Sequence, residues 1–198
     1  MPRIIIIATG NPAKFREISD IMGKYDIAVR MADLRVDVRE GTASYEENAR
    51  LKAFYVAARL GADAFGEDSG IEVPALGGFP GVMSARFIEG RDSDRTDALL
   101  DRMRHLGPPD RKAAFKACAV IALADGTTVV GYGELNGRIT DGPVGENGFG
   151  YDPVFVPDGY DRTLAQMSPR EKNDISHRRR AIEAVVEKYL FQRGVGAE

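Results

Sequence analysis

Five consecutive apolar residues near the start, Ile4-Ile5-Ile6-Ile7-Ala8, constrain this chain more than any other feature. Neighbouring side chains of a strand point to opposite faces, so a run without polar alternation suits a strand covered on both sides. Thr9-Gly10-Asn11-Pro12 follows, and there the strand must give way to a helix. Asn11 offers an N-cap, Pro12 fits the first helical position, Gly23 supplies the stop, and Phe15, Ile18 and Met22 share one face. Strand, glycine turn and helix in succession point to an α/β protein, with backbone N–H groups at the helix start aimed at whatever occupies the turn.

The remaining pattern extends that expectation. Ser44 and Glu47 have capping-box spacing, and Ala49, Ala53, Val56, Ala57 and Leu60 make a buried face before Gly61. A third helix is expected over 96–106, with Leu99, Leu100, Met103 and Leu106 inward, and the glycine-rich segment 66–81 is expected to be irregular. Residues 113–124 and 129–139 predict two strands joined at Asp125-Gly126, and a glycine-rich stretch from Gly142 to Gly150 leads to a strand over 151–156. A last helix follows Ser176, with Ile182, Val185, Val186 and Leu190 at helical spacing, and the tail after about 191 is expected to fray. No repeat or linker divides the chain, so residues 1–198 are taken as one domain with a partly antiparallel, mixed sheet.

Composition excludes several classes. A net charge of −3 does not suit a nucleic-acid binder built on a broad basic face. One cysteine, Cys118, gives neither a disulfide framework nor a cysteine zinc site, and its apolar surroundings suggest a buried structural thiol. No apolar segment approaches the roughly 20 residues that span a bilayer, and the start reads as a strand, not a signal peptide. The expectation is a cytoplasmic protein without a membrane partner.

Four groups carry chemistry. Thr9, Gly10, Asn11, Pro12, Ala13 and Lys14 combine a glycine turn, a helix start and a cation, which suits a phosphate, and equally fits a capped helix with a solvated lysine. Neither a Walker sequence nor G-x-G-x-x-G is present. Glu67-Asp68-Ser69-Gly70 places two carboxylates at an expected strand end, where they can share a hard cation or divide metal binding and base catalysis; Glu40 is a third candidate. Lys172, His177 and Arg178 lie among Arg170, Arg179 and Arg180 at a helix start, a placement that calls for a negative partner unless the face is simply solvated. Gly148-Phe149-Gly150-Tyr151-Asp152 offers an aromatic face for a base and a carboxylate for ring N–H groups, or else a core aromatic at a strand entrance. His105 is expected at the surface, and neither histidine has a metal or serine partner by spacing.

In order, the blocks ATGNPAKFREI, EGTASYEENARLKA, GEDSGIEVPALGGFPGVMSAR, GFGYDPVF and SPREKNDISHR resemble the inosine triphosphate pyrophosphatase family, the non-standard purine NTP or dITP/XTP pyrophosphatases. The similarity runs from Ile4 to Leu190. It implies hydrolysis of ITP, dITP or XTP to the monophosphate and pyrophosphate by an elongated α/β homodimer subunit, with a central mixed sheet flanked by helices and two lobes around a cleft. It assigns the triphosphate to Thr9 through Lys14, the magnesium (manganese as an alternative) to Glu40 and Asp68, and general-base work to Asp68. Ser69, Phe149, Gly150, Tyr151, Asp152, Lys172, His177 and Arg178 become substrate contacts, with donors from His177-Arg178 toward the C6 oxygen. Many bacterial members have two aspartates where this chain has Glu67-Asp68, so Glu67 stands either as an auxiliary ligand, direct or through water, or as a residue just outside the metal's own ligands. Two other readings remain: a Maf-like enzyme acting on pyrimidine or modified nucleotides, and a non-catalytic nucleotide-binding regulator.

Overall fold

A computed structural model describes residues 3–194. The elements are β1 Arg3–Ile7, α1 Pro12–Met22, β2 Ile27–Met31, α2 Tyr45–Leu60, β3 Ala64–Glu72, α3 Asp92–Met103, β4 Lys112–Ala122, β5 Thr128–Ile139, β6 Phe155–Pro157, α4 Pro169–Ile175 and α5 His177–Gln192. All six strands form one sheet in the order β2-β1-β3-β4-β5-β6. β1 runs parallel to β2 and β3, whereas β5 and β6 are antiparallel, so this is the mixed α/β sheet expected. The chain falls into two compact units, one of residues 1–68, 117–133 and 177–198, the other of 69–116 and 134–176. It passes from one to the other within β3, β4 and β5.

The first unit explains why the opening run has no polar break. Ile5 and Ile7 pack with Ile18, Ile21 and Met22 of α1 and with Ile182, Val185 and Val186 of α5. Ile6 and Ala8 pack instead with Ala49, Ala53 and Val56 of α2. Each isoleucine fully buried in this way contributes about 1.5–3 kcal/mol. The double cover begins only at Ile5, since Ile4 is 57% exposed. Asn11 caps α1 and Ser44 caps α2 as their sequences predict. Leu60, expected inside, is an exposed end residue of α2. Cys118 is buried on β4, and burial pushes its thiol up to about 12.

Segment 66–81 corrects an expectation. It is not irregular throughout: residues 66–72 belong to β3. Gly66 is there because α2 presses on the strand, and a Cβ would sit 2.2 Å from the Ala49 carbonyl oxygen. Gly133 does the same under α5, where a Cβ would meet the His177 carbonyl oxygen at 2.0 Å. These glycines set close packing rather than turns.

The second unit surrounds one core of Ile71, Leu99, Met103, Leu135, Val154, Phe155 and Leu164, with the Phe115 and Phe155 rings edge to face. α3 starts at Asp92, before the expected 96, because the Asp94 carboxylate accepts the Arg91 N–H and closes the first turn; Leu106 and the exposed His105 lie beyond its end. The strand expected over 151–156 is shorter, since Asp152–Val154 form a 3-10 turn before β6. Ser168 caps the short α4, so the segment before α5 is helical too. α5 reaches Gln192, and residues 195–198 of the tail lie outside the described residues. Among the described residues no helix is long and apolar enough to cross a membrane.

Candidate active site

In the first unit the turn after β1 leads into the capped start of α1. The Asn11 carboxamide oxygen accepts the N–H groups of Ala13 (2.9 Å) and Lys14 (3.2 Å), and Thr9 Oγ1 accepts the Asn11 N–H. Asn11 therefore takes two of the amides that the sequence left pointing into the turn. Thr9 and Ala13 are half-buried and Gly10 and Pro12 exposed. Lys14 leans back toward β3, where its Nζ lies 2.9 Å from Glu67 Oε2.

Asp68 sits inside β3, not at its end, and is nearly buried. Its Oδ2 accepts a hydrogen bond from Asn48 Nδ2 at 2.9 Å, and its Oδ1 lies 3.2 Å from Lys52 Nζ. Lys52 also pairs with Glu40 at 2.8 Å, so one ammonium gathers both carboxylates. Asn48 closes the arrangement: its oxygen accepts the Gly41 N–H (2.8 Å) while its nitrogen reaches the Gly41 carbonyl, which fixes the loop that carries Glu40. Burial pushes Asp68 above the ordinary carboxylate value, although Lys52 and Asn48 pull it back. Burial alone would lower Lys52, but Asp68 and Glu40 outweigh it and hold the ammonium above its usual value.

The pleat of β3 separates the acidic pair. Asp68 meets Asn48 and Lys52 of α2, whereas Glu67 meets Lys14 of α1 and Arg178 of α5, its Oε1 lying 3.2 Å from Arg178 Nη2. Arg178, 2% exposed, also pairs with Glu17. Burial would raise Glu67, yet the charges of Arg178 and Lys14 prevail and hold it well below the usual carboxylate range. His177 is buried beside Arg178 at the start of α5. The negative partners that Arg178 calls for are thus supplied by the protein, at Glu17 and Glu67, and burial excludes a solvated face for His177 and Arg178.

The second unit holds the aromatic segment. Lys172, 4% exposed, lies 2.6 Å from Asp152 Oδ2, and the same oxygen accepts the Phe149 N–H at 2.8 Å. Lys172 Nζ is also 4.3 Å from the centre of the Phe149 ring. The Gly150 N–H donates to Asp92 at 2.7 Å, and Thr96 Oγ1 donates to the Gly150 carbonyl at 3.3 Å. Tyr151 is buried, its hydroxyl donating to the Ser84 carbonyl. Asp152 thereby fixes the loop that presents Phe149. Ser69, half-buried, follows Asp68 in β3. A cavity of about 350 Å³ is lined by Asp92, Thr96, Asn147, Phe149 and Gly150.

Residues 5–188 match the sequence profile of the Ham1 family. The chain belongs to the Ham1 family. A protein of Deinococcus deserti named dITP/XTP pyrophosphatase is 45% identical over 184 residues, covering 92% of this chain and 88% of its own. One of the same name from Aquifex aeolicus is 40% identical over 191 residues, covering 92% and 94%. The solved Staphylococcus aureus Ham1 protein matches with a TM-score of 0.82 at 36% identity, over 96% of this chain and all of that one. This is the family that the sequence blocks resemble.

In this Ham1 chain several contacts escape a reading by motif. Asn48 and Lys52 lie one turn apart on α2 beside the buried Ala49 and Ala53, and polar residues interrupting an apolar face at that spacing are the signal that would have found them. Glu17, one turn after Lys14, pairs with Arg178 across 161 positions, and no local pattern announces it. Asp92 and Thr96 are recognisable only once α3 lies beside Gly150.

Proposed function

We propose that this chain hydrolyses the non-standard purine nucleoside triphosphates dITP, ITP and XTP to the monophosphate and pyrophosphate. The observation that carries the reading is Asp68, a nearly buried carboxylate held by Asn48 and Lys52 in the same unit as the anion-favouring start of α1. Membership of the Ham1 family and the names of its relatives support the substrate class. Among the described residues no three His, Cys, Asp or Glu side chains are grouped to hold a metal ion. Magnesium asks for less: one or two carboxylates, with waters and substrate phosphates completing its shell. Glu40 and Asp68 fit that demand, being two oxygen donors that share a single cation. Bound there, magnesium or manganese would supply positive charge to neutralise the phosphate oxygens.

The protein's own part follows from the geometry. The start of α1 and Lys14 hold the phosphate chain, and Asp68 orients the attacking water and accepts its proton; a carboxylate raised above its usual value is the better base. In the second unit Phe149 offers a ring face to the purine, kept in place by Asp152 and Lys172. A deaminated purine carries an oxygen at C6, and a site built with a donor there leaves an unpaired buried group against adenine, at about 1–3 kcal/mol. Assembly as a homodimer and residence in the cytoplasm belong to the same reading, and light scattering tests the first.

Pyrophosphate release from dITP, ITP, XTP, GTP, ATP and UTP, with magnesium and with chelator, decides the matter. The reading requires turnover of the first three above the rest and none in chelator. Preference for UTP would point to a Maf-like activity; tight binding without turnover would leave a regulator.

A further inference from the structure

We infer that Glu67 is a positioning residue, which is itself anchored by Arg178, holds Lys14 for the triphosphate and takes no part in binding metal. The inference rests on the proposed hydrolysis and deepens it by dividing the acidic pair. Both Glu67 oxygens already face a cation, Oε2 toward Lys14 at 2.9 Å and Oε1 toward Arg178 at 3.2 Å, and Arg178 joins Glu17 as well. A metal ion brought to Glu67 would come close to both of these cations. The Asp68 side differs, for there one ammonium, that of Lys52, lies between two carboxylates, Glu40 and Asp68.

Positioning has a physical use. A free lysine side chain has many rotamers, whose freedom an incoming anion must otherwise remove. Glu67 orders Lys14 beforehand from the strand that bears Asp68, so the phosphate-holding cation and the base are referred to adjacent residues of one rigid element. Arg178 is anchored from the same carboxylate and from Glu17, one turn along α1 from Lys14.

The test uses the full-length protein and two readouts. Manganese binding to the metal-free protein, followed by the electron paramagnetic resonance of the free ion, needs no turnover. Glu67→Gln should bind manganese within about twofold of wild type, whereas Glu40→Gln should lose at least about tenfold. In turnover, Glu67→Gln should raise KM for dITP roughly tenfold with little change in kcat, as expected for a lost charge-assisted contact. Glu67→Asp, which keeps the charge, should restore most of it, and in a Lys14→Met background the Gln substitution should add nothing. A tenfold loss of manganese affinity in Glu67→Gln, or KM effects that simply multiply with Lys14→Met, would overturn the inference. If Glu67→Gln does not fold, Lys14→Met/Glu67→Gln removes a balanced pair and carries the same manganese comparison. Failure of wild type to release pyrophosphate would end the proposed function, while the manganese titration would still decide the role of Glu67.

Discussion

Glu17, Glu40, Glu67 and Asp68 of the first unit are linked through Lys14, Lys52 and Arg178, whereas Asp152 of the second pairs with Lys172. The first arrangement includes partly exposed partners, Glu40 and Lys14 among them; the second is closed to water. Under the proposed function the first, with carboxylates that water can reach, is the place for a cation and for phosphate chemistry. The buried pair beneath an aromatic ring would, in the same reading, hold that ring against a purine. On that proposal burial and ion pairing serve reactivity in one place and rigidity in the other.

The largest effect that would break this contrast lies at Asp68. Asp68→Asn should lower kcat by about 10²- to 10⁴-fold, the usual worth of a general base, while nucleotide binding measured by calorimetry persists. Near-normal kcat would remove Asp68 from its role. Next, Lys172→Met leaves the Asp152 carboxylate buried without its partner and should cost about 3–5 kcal/mol in urea unfolding, much of it recovered by adding Asp152→Asn. Equal losses in the single and double variants would show that the pair does not act as a neutral unit.

A smaller effect is set by pH. Asp68 has a raised value in the folded state, so folding favours its protonated form and its charge costs stability at neutral pH; the cost fades as pH falls through that raised value. Asp68→Asn should therefore be the more stable protein near pH 7, and its advantage should shrink on acidification. An advantage independent of pH would contradict the assignment. The slightest change expected is Thr96→Val, which removes one hydrogen bond to Gly150 and should cost about 0.5–1.5 kcal/mol in urea unfolding, with a modest rise in KM for dITP. A drop in kcat with unaltered KM would place Thr96 outside base recognition.

What was legible in the sequence is what is local. Asn11 and Ser44 announce their helices because a cap bonds residues two or three positions away. The strand character of 66–72 was hidden, because Gly66 answers to a helix that crosses it and not to its neighbours. β2 also went unseen, its residues Ile27–Met31 alternating over only five positions. For the candidate site, residue types in the motifs singled out Glu40, Asp68 and Lys172, but not their partners. Lys52 and Asn48 reach Asp68 across sixteen and twenty positions, and Glu17 reaches Arg178 from the far end of the chain. Local spacing contains no such distances, so the burial of the basic cluster could not be read from it.

Gly66 carries one more consequence. Without a side chain of its own it admits α2 so closely that Asn48 and Lys52 reach Asp68, two residues farther along the same strand. A saturation screen scored on turnover alone should therefore rank Gly66 with the acids and bases, and a graft of this chemistry onto another scaffold would have to copy an absence as faithfully as any functional group.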